Sequence, residues 1–175
     1  QFDNQWILGT SGATPARIDD TGTFTDTETG AKIGRWVWLG YGEEGRLVVC
    51  PPSPSSACTA ALAGLGAGNV NNGTHSYKIT FVRSVSDTES IESGGSPASN
   101  VVTTTGGDGQ VALTAIPTGA SGTTSRKIYR TAAGGATYKL LATISDNTTT
   151  VYADNLADAS LGATVPTGIT HDDPS

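Results

Sequence analysis

The strongest constraint on this chain is the period of its apolar residues, which is two and is nowhere sustained near 3.6. In Tyr77-Lys78-Ile79-Thr80-Phe81 the large apolar side chains fall on alternate residues and so share one face of an extended strand. The alternation recurs in Val111, Leu113 and Ala115, and again in Tyr138, Leu140, Ala142 and Ile144, which read as a second inward face. Lys127-Ile128-Tyr129-Arg130, the β-branched run 101–105 and residues 148–152 read as further strands, and residues 58–66 as a first edge strand in preference to a helical turn. Gly106-Gly107-Asp108-Gly109, Gly134-Gly135 and Asp146-Asn147 separate them, all residue types that reverse a chain. Short alternating runs between such turns predict an all-β fold, a β-sandwich.

A Pro- and Ser-rich segment, Pro51-Pro52-Ser53-Pro54-Ser55-Ser56, divides the chain into unlike parts. The organisation expected from it is a docking region over 1–50, a linker over 51–58, the sandwich over 59–168 and a polar tail over 169–175. All three tryptophans and six of the eleven aromatic residues precede the divide. Residues 1–33 have little periodicity and read as an extended N-terminal arm. Residues 34–50 read as a β-hairpin, with Trp36 and Trp38 on one face of its first strand and Val37 and Leu39 on the other. A piece of this length has little core of its own. Trp6, Trp36, Trp38 and Leu39 are therefore the candidate interface residues. For the Trp36–Trp38 pair three readings stand open: anchors of a protein interface, a local core, or a platform stacking on sugar rings.

Charge narrows the partners. There are 16 acidic and 10 basic side chains, a net charge of -6, whereas a nucleic-acid groove needs clustered Lys and Arg against phosphate. No stretch approaches the roughly 18 apolar residues of a membrane-crossing helix, and no basic-then-apolar start resembles a signal peptide. Neither nucleic acid nor membrane is expected as a partner. Methionine is absent even at position 1, so the chain as it stands is not expected to be an intact translation product. The only cysteines, Cys50 and Cys58, bracket the Pro-rich segment and are either a disulfide closing a small loop or two thiols.

Catalysis needs converging groups, and the sequence supplies few. His75 opens the Tyr77 strand and is expected at the surface or an edge, and His171 in a solvated tail. Gly119-Ala120-Ser121-Gly122 misses the spacing of a nucleophile elbow. Gly64-Leu65-Gly66-Ala67-Gly68 imitates a phosphate loop but lacks the strand before it and the helix after it, so it reads as a flexible loop entering the sandwich. Asp19, Asp20, Asp26 and Glu28 carry oxygens a calcium ion would accept, yet their spacing fits no EF-hand. No catalytic residue, metal or cofactor is expected, and the chain is not expected to be an enzyme.

The stretch 68–82 (Gly68-Asn69-Val70-Asn71-Asn72-Gly73-Thr74-His75-Ser76-Tyr77-Lys78-Ile79-Thr80-Phe81-Val82), with Ser96-Pro97-Ala98-Ser99-Asn100-Val101-Val102 and Arg126-Lys127-Ile128-Tyr129-Arg130-Thr131, resembles a module recurrent in tailed-phage structural proteins. Asn147-Thr148-Thr149-Thr150, Asp154-Asn155 and Asp158-Ala159-Ser160-Leu161-Gly162 continue the resemblance, which covers about residues 59–168. It implies an immunoglobulin- or fibronectin-III-like β-sandwich, circularly permuted because the Lys127–Arg130 strand follows the Tyr77 strand and the Pro97–Asn100 turn. The first and last strands of the region would then lie side by side. It further implies a non-enzymatic virion protein, a capsid decoration (cement) protein. Such a protein would attach through its N-terminal region to the major capsid protein, to other virion proteins or to further copies of itself. Its expected location is the virion, on capsid surface or tail, and extracellular after release. A tail, baseplate or fibre component is the structural alternative, and a secreted or surface carbohydrate-binding or adhesion module the alternative of another class.

Overall fold

A computed structural model describes residues 50–85 and 89–168 in full, and the backbone alone of strands within 7–49 and of residues 170–172. The chain forms two compact units, Gln1–Pro52 and Ser53–Ser175. Both are antiparallel β structure.

In the first unit β1 (Ile7–Leu8), β2 (Ala16–Ile18), β3 (Thr23–Asp26), β4 (Lys32–Leu39) and β5 (Arg46–Cys50) pair in chain order as a five-stranded meander. The hairpin is β4–β5, with Trp36 opposite Val49, Trp38 opposite Leu47 and Leu39 opposite Arg46. The extended arm expected over 1–33 is replaced by three of the five strands. Strands of two to four residues are too short for alternation to show, whereas Ile7, Ile18 and the Thr23-Phe24-Thr25 run still favour a pleated surface.

The second unit holds β6 (Thr59–Leu62), β7 (Gly73–His75), β8 (Tyr77–Ser84), β9 (Ser90–Glu92), β10 (Val102–Thr104), β11 (Val111–Thr114), β12 (Ser125–Thr131), β13 (Tyr138–Ile144), β14 (Tyr152–Asp154) and β15 (Thr170–Asp172). A large sheet runs β13-β12-β8-β9-β15, a small one β14-β11-β6, and β10 and β7 form a two-stranded ribbon. One apolar core lies between the sheets. The large sheet contributes Tyr77, Ile79, Ile128, Leu141 and Ile144; the small one Ala60, Val111 and Leu113; Cys58, Val102 and Ile116 complete it. Each fully buried Ile or Leu here contributes about 1.5–3 kcal/mol relative to exposure. The all-β, sandwich-like architecture follows from this shared core.

Four further expectations change in the second unit. The first and last strands of 59–168 are not neighbours, because β6 and β14 flank β11 on opposite sides. Permutation in the form expected therefore does not hold. In β13 only Ala142 and Ile144 of the expected inward face Tyr138-Leu140-Ala142-Ile144 meet the core. A bulge against β12 pairs Ile128 with Ala142 but Tyr129 with Leu140, so Leu141 is the inserted residue and turns into the core. Three residues of the expected polar tail, Thr170–Asp172, pair with β9 as β15. Finally, the glycine loop 64–68 is pinned rather than loose. Gly109 N–H donates to Gly66 O at 3.1 Å and Val70 N–H to Gly109 O at 3.1 Å. A Cβ on Gly68 would lie 2.2 Å from Gly109 O, so two backbones cross where only glycine fits.

The segment after β9 docks on β8 by an unusual device. Ser93, Ser96 and Ser99 are spaced by three, while their partners Phe81, Ile79 and Tyr77 are spaced by two. Each serine N–H donates to its partner's carbonyl (2.8–2.9 Å), and each serine Oγ accepts that partner's N–H (2.9–3.0 Å). The hydroxyl stands in for the backbone acceptor that the mismatched period removes. Asn100 seals the edge of β6 similarly, its side-chain amide bonding both N–H and C=O of Ala60.

Candidate functional site

Alternation on β8 and β12 turns Thr80, Lys127 and Tyr129 to the face opposite the core. That face is covered. After a 3-10 turn at Asp158–Ser160 the chain runs along the free edge of β13: Gly162 N–H donates to Leu140 O (2.8 Å), Leu140 N–H to Ala163 O (2.7 Å) and Val165 N–H to Tyr138 O (2.9 Å). It then reaches the far edge of the same sheet as β15 on β9. Beneath the crossing lies a hollow of about 440 Å³, lined by Glu92, Lys127 and Tyr129 and by Leu140, Val165 and Pro166.

Glu92 is the centre of this face and is 4% exposed. Its Oε1 accepts from Tyr129 Oη at 2.5 Å and Thr80 Oγ1 at 2.6 Å, and its Oε2 from Lys127 Nζ at 2.6 Å. A buried carboxylate is tolerable only when so paired. Three donors on its two oxygens make it a fastening between β8, β9 and β12.

Two further constellations are interior ties. Arg130, on β12 and without solvent exposure, donates Nη1 to Asp154 Oδ2 (2.6 Å) and Leu156 O (2.9 Å), and Nη2 to Asp158 Oδ1 (2.7 Å). Tyr77 Oη donates to the same Asp154 Oδ2 at 2.8 Å. Burial, and then the Asp154 charge, push the Tyr77 phenol well above the usual range. Arg126, equally buried, joins Pro117 O and Asp146. The Thr149 hydroxyl, with the Thr149 and Thr148 N–H groups, holds the Asp146 carboxyl well below the usual carboxylate range.

The expected site residues are distributed as follows. Trp36, Trp38 and Leu39 lie on β4, where backbone alone is described, and Trp6 lies outside the described residues, as do Asp19, Asp20 and Glu28. His75 is not at the surface: it is 1% exposed, with Nδ1 2.9 Å from Thr131 O and Nε2 2.8 Å from Asn71 O. Cys50 and Cys58 are both buried thiols, and burial pushes the Cys58 thiol up to about 11. Among the described residues no group of three or more His, Cys, Asp or Glu could hold a metal ion. No described helix is long and apolar enough to cross a membrane. Sequence reasoning did not single out Glu92. No spacing rule marks a lone Glu in a short strand, although the Ser93-Ser96-Ser99 period was visible beside it.

Compared with protein families, curated proteins and solved structures, the chain matches none.

Proposed function

We propose that this chain is a non-enzymatic structural protein of a tailed-phage virion, a capsid decoration protein that docks through its first unit and displays an immunoglobulin- or fibronectin-III-like sandwich. One observation carries the reading. Several residues on which the resemblance rests help tie the second unit together: Tyr77, Arg130, Asp154 and Asp158 in the buried ion cluster, and Ser96, Ser99 and Asn100 along the strand edges. A motif set used up in internal fastening suits a module whose task is to persist and be displayed. Docking would draw on apolar burial by Trp6, Trp36, Trp38 and Leu39, since Trp dominates interface energetics. Many identical contacts on a shell turn modest single-site affinity into strong avidity. Net charge of -6 suits a solvated exterior.

The test is co-sedimentation of the labelled protein with tailed-phage capsids lacking decoration, with glycan-coated beads as the second arm. Saturable capsid binding that falls at least tenfold in the Trp36→Ala/Trp38→Ala variant is expected. Binding to isolated tails alone would move the assignment to a tail, baseplate or fibre component. Glycan retention without capsid binding would replace it by the carbohydrate-binding reading.

A further inference from the structure

The segment 162–172 closes both outer edges of the large sheet, β13 on one side and β9 on the other. Up to residue 168 it does so with little side-chain burial. No residue from 155 to 168 is buried, and the hollow of about 440 Å³ remains between the crossing and the sheet. Over residues 162–168 the strap is therefore held chiefly by backbone hydrogen bonds, each of modest net worth in water, and segments of this kind open at far lower cost than the core. Its root is firm. Asp158 is fixed by Arg130 Nη2 (2.7 Å) and by the Ala133 N–H on Oδ2 (2.7 Å), and Leu161 packs against the core. The chain is free to leave the body only from Gly162 onward, where residues 162–164 are exposed.

We propose that this strap is an exchangeable element, and that copies of the chain join by each laying its strap on the other's large sheet. Once the strap lifts, β13 and β9 present unpaired N–H and C=O groups, the template that recruits a strand. The occupant that fits both edges is the same segment from a second copy. It reproduces the pairing of Lys139 with Thr164 on one edge and of Thr170, His171 and Asp172 with Glu92, Ile91 and Ser90 on the other. Exchange of an identical element forms no new kind of contact, which makes it a low-cost route to assembly. The proposal uses only contacts within the second unit and does not depend on the virion reading.

Lys139 and Thr164 face each other across the antiparallel bridge, so the full-length Lys139→Cys/Thr164→Cys variant can be oxidised to staple the strap to its own body. After incubation at millimolar concentration, light scattering on the eluted species is expected to show dimers or larger assemblies for the unaltered chain. The oxidised variant should show monomer only, with assembly restored by reduction. Oxidation after incubation should instead trap interchain disulfides on a non-reducing gel. Unaltered isotopically light and heavy chains, incubated together, give a readout free of any substitution: native mass spectrometry should find mixed-mass dimers. A chain that stays monomeric at millimolar concentration, or a stapled variant that assembles as well as the unaltered one, overturns the proposal.

Discussion

Arg130 sits in the second unit without solvent contact, and its charge is met by Asp154, itself fully buried, and by the less buried Asp158. Removing the cation while leaving both carboxylates strands them, so Arg130→Met is expected to cost about 3–5 kcal/mol in urea unfolding. Tyr77→Phe deletes only the hydroxyl donated to Asp154 and should cost about 2 kcal/mol, the range of a hydrogen bond to a charged group. Asp146 gives the pH dependence. Its folded-state titration is depressed by the Thr149 hydroxyl and by the Thr149 and Thr148 N–H groups. Its contribution is therefore fully present above the ordinary carboxylate value, near 3.9, and is lost as pH falls through the lower folded value. Thr149→Val should move the Asp146 titration upward toward that ordinary value, read from its carboxyl carbon resonance, and start acid unfolding at higher pH.

Strands and loops in this molecule are joined by substitutions of one hydrogen-bonding group for another. The serine ladder is the clearest case: Ser96→Ala leaves the Ile79 N–H buried without an acceptor, at an expected cost of about 1–3 kcal/mol. Hydrogen exchange at the Ile79 amide should accelerate more than at Tyr77 or Phe81, whose serines remain. The crossing of 64–68 over Gly109 gives a paired comparison. Gly68→Ala drives a Cβ into Gly109 O and should cost about 3 kcal/mol or more, because backbone must move. Gly107→Ala meets nothing within 4 Å and should stay within about 0.5 kcal/mol of the unaltered chain. Chemical denaturation of both variants separates a packing requirement from a general preference for glycine in turns.

At the scale of the whole molecule, the second unit carries a core drawn from its large and small sheets and from Val102 of the ribbon, and the chain divides at Pro52 and Ser53. A fragment comprising residues 53–175 is therefore expected to fold alone. It should unfold in one cooperative calorimetric transition whose midpoint lies within a few degrees of the matching transition in the full chain. The strap belongs to this scale too, since it joins opposite edges of one sheet and no local rule foresees where a terminal segment returns.

What the sequence determined by itself was the secondary-structure class and the position of most strands in the second unit. Period-two alternation and turn residues act locally, over a few neighbours, and need no partner to be read. Tertiary structure alone decided the rest. A single bulge exchanged Leu140 for Leu141 at the core, because register depends on the neighbouring strand. His75, polar and next to a strand, went inside because carbonyls from β12 and the Asn71 turn met both ring nitrogens. Glu92 became the centre of the outer face because Thr80, Lys127 and Tyr129 come from strands 12 to 37 residues away in the chain. Pairings over such separations are set by how sheets close, and a linear pattern carries no record of that.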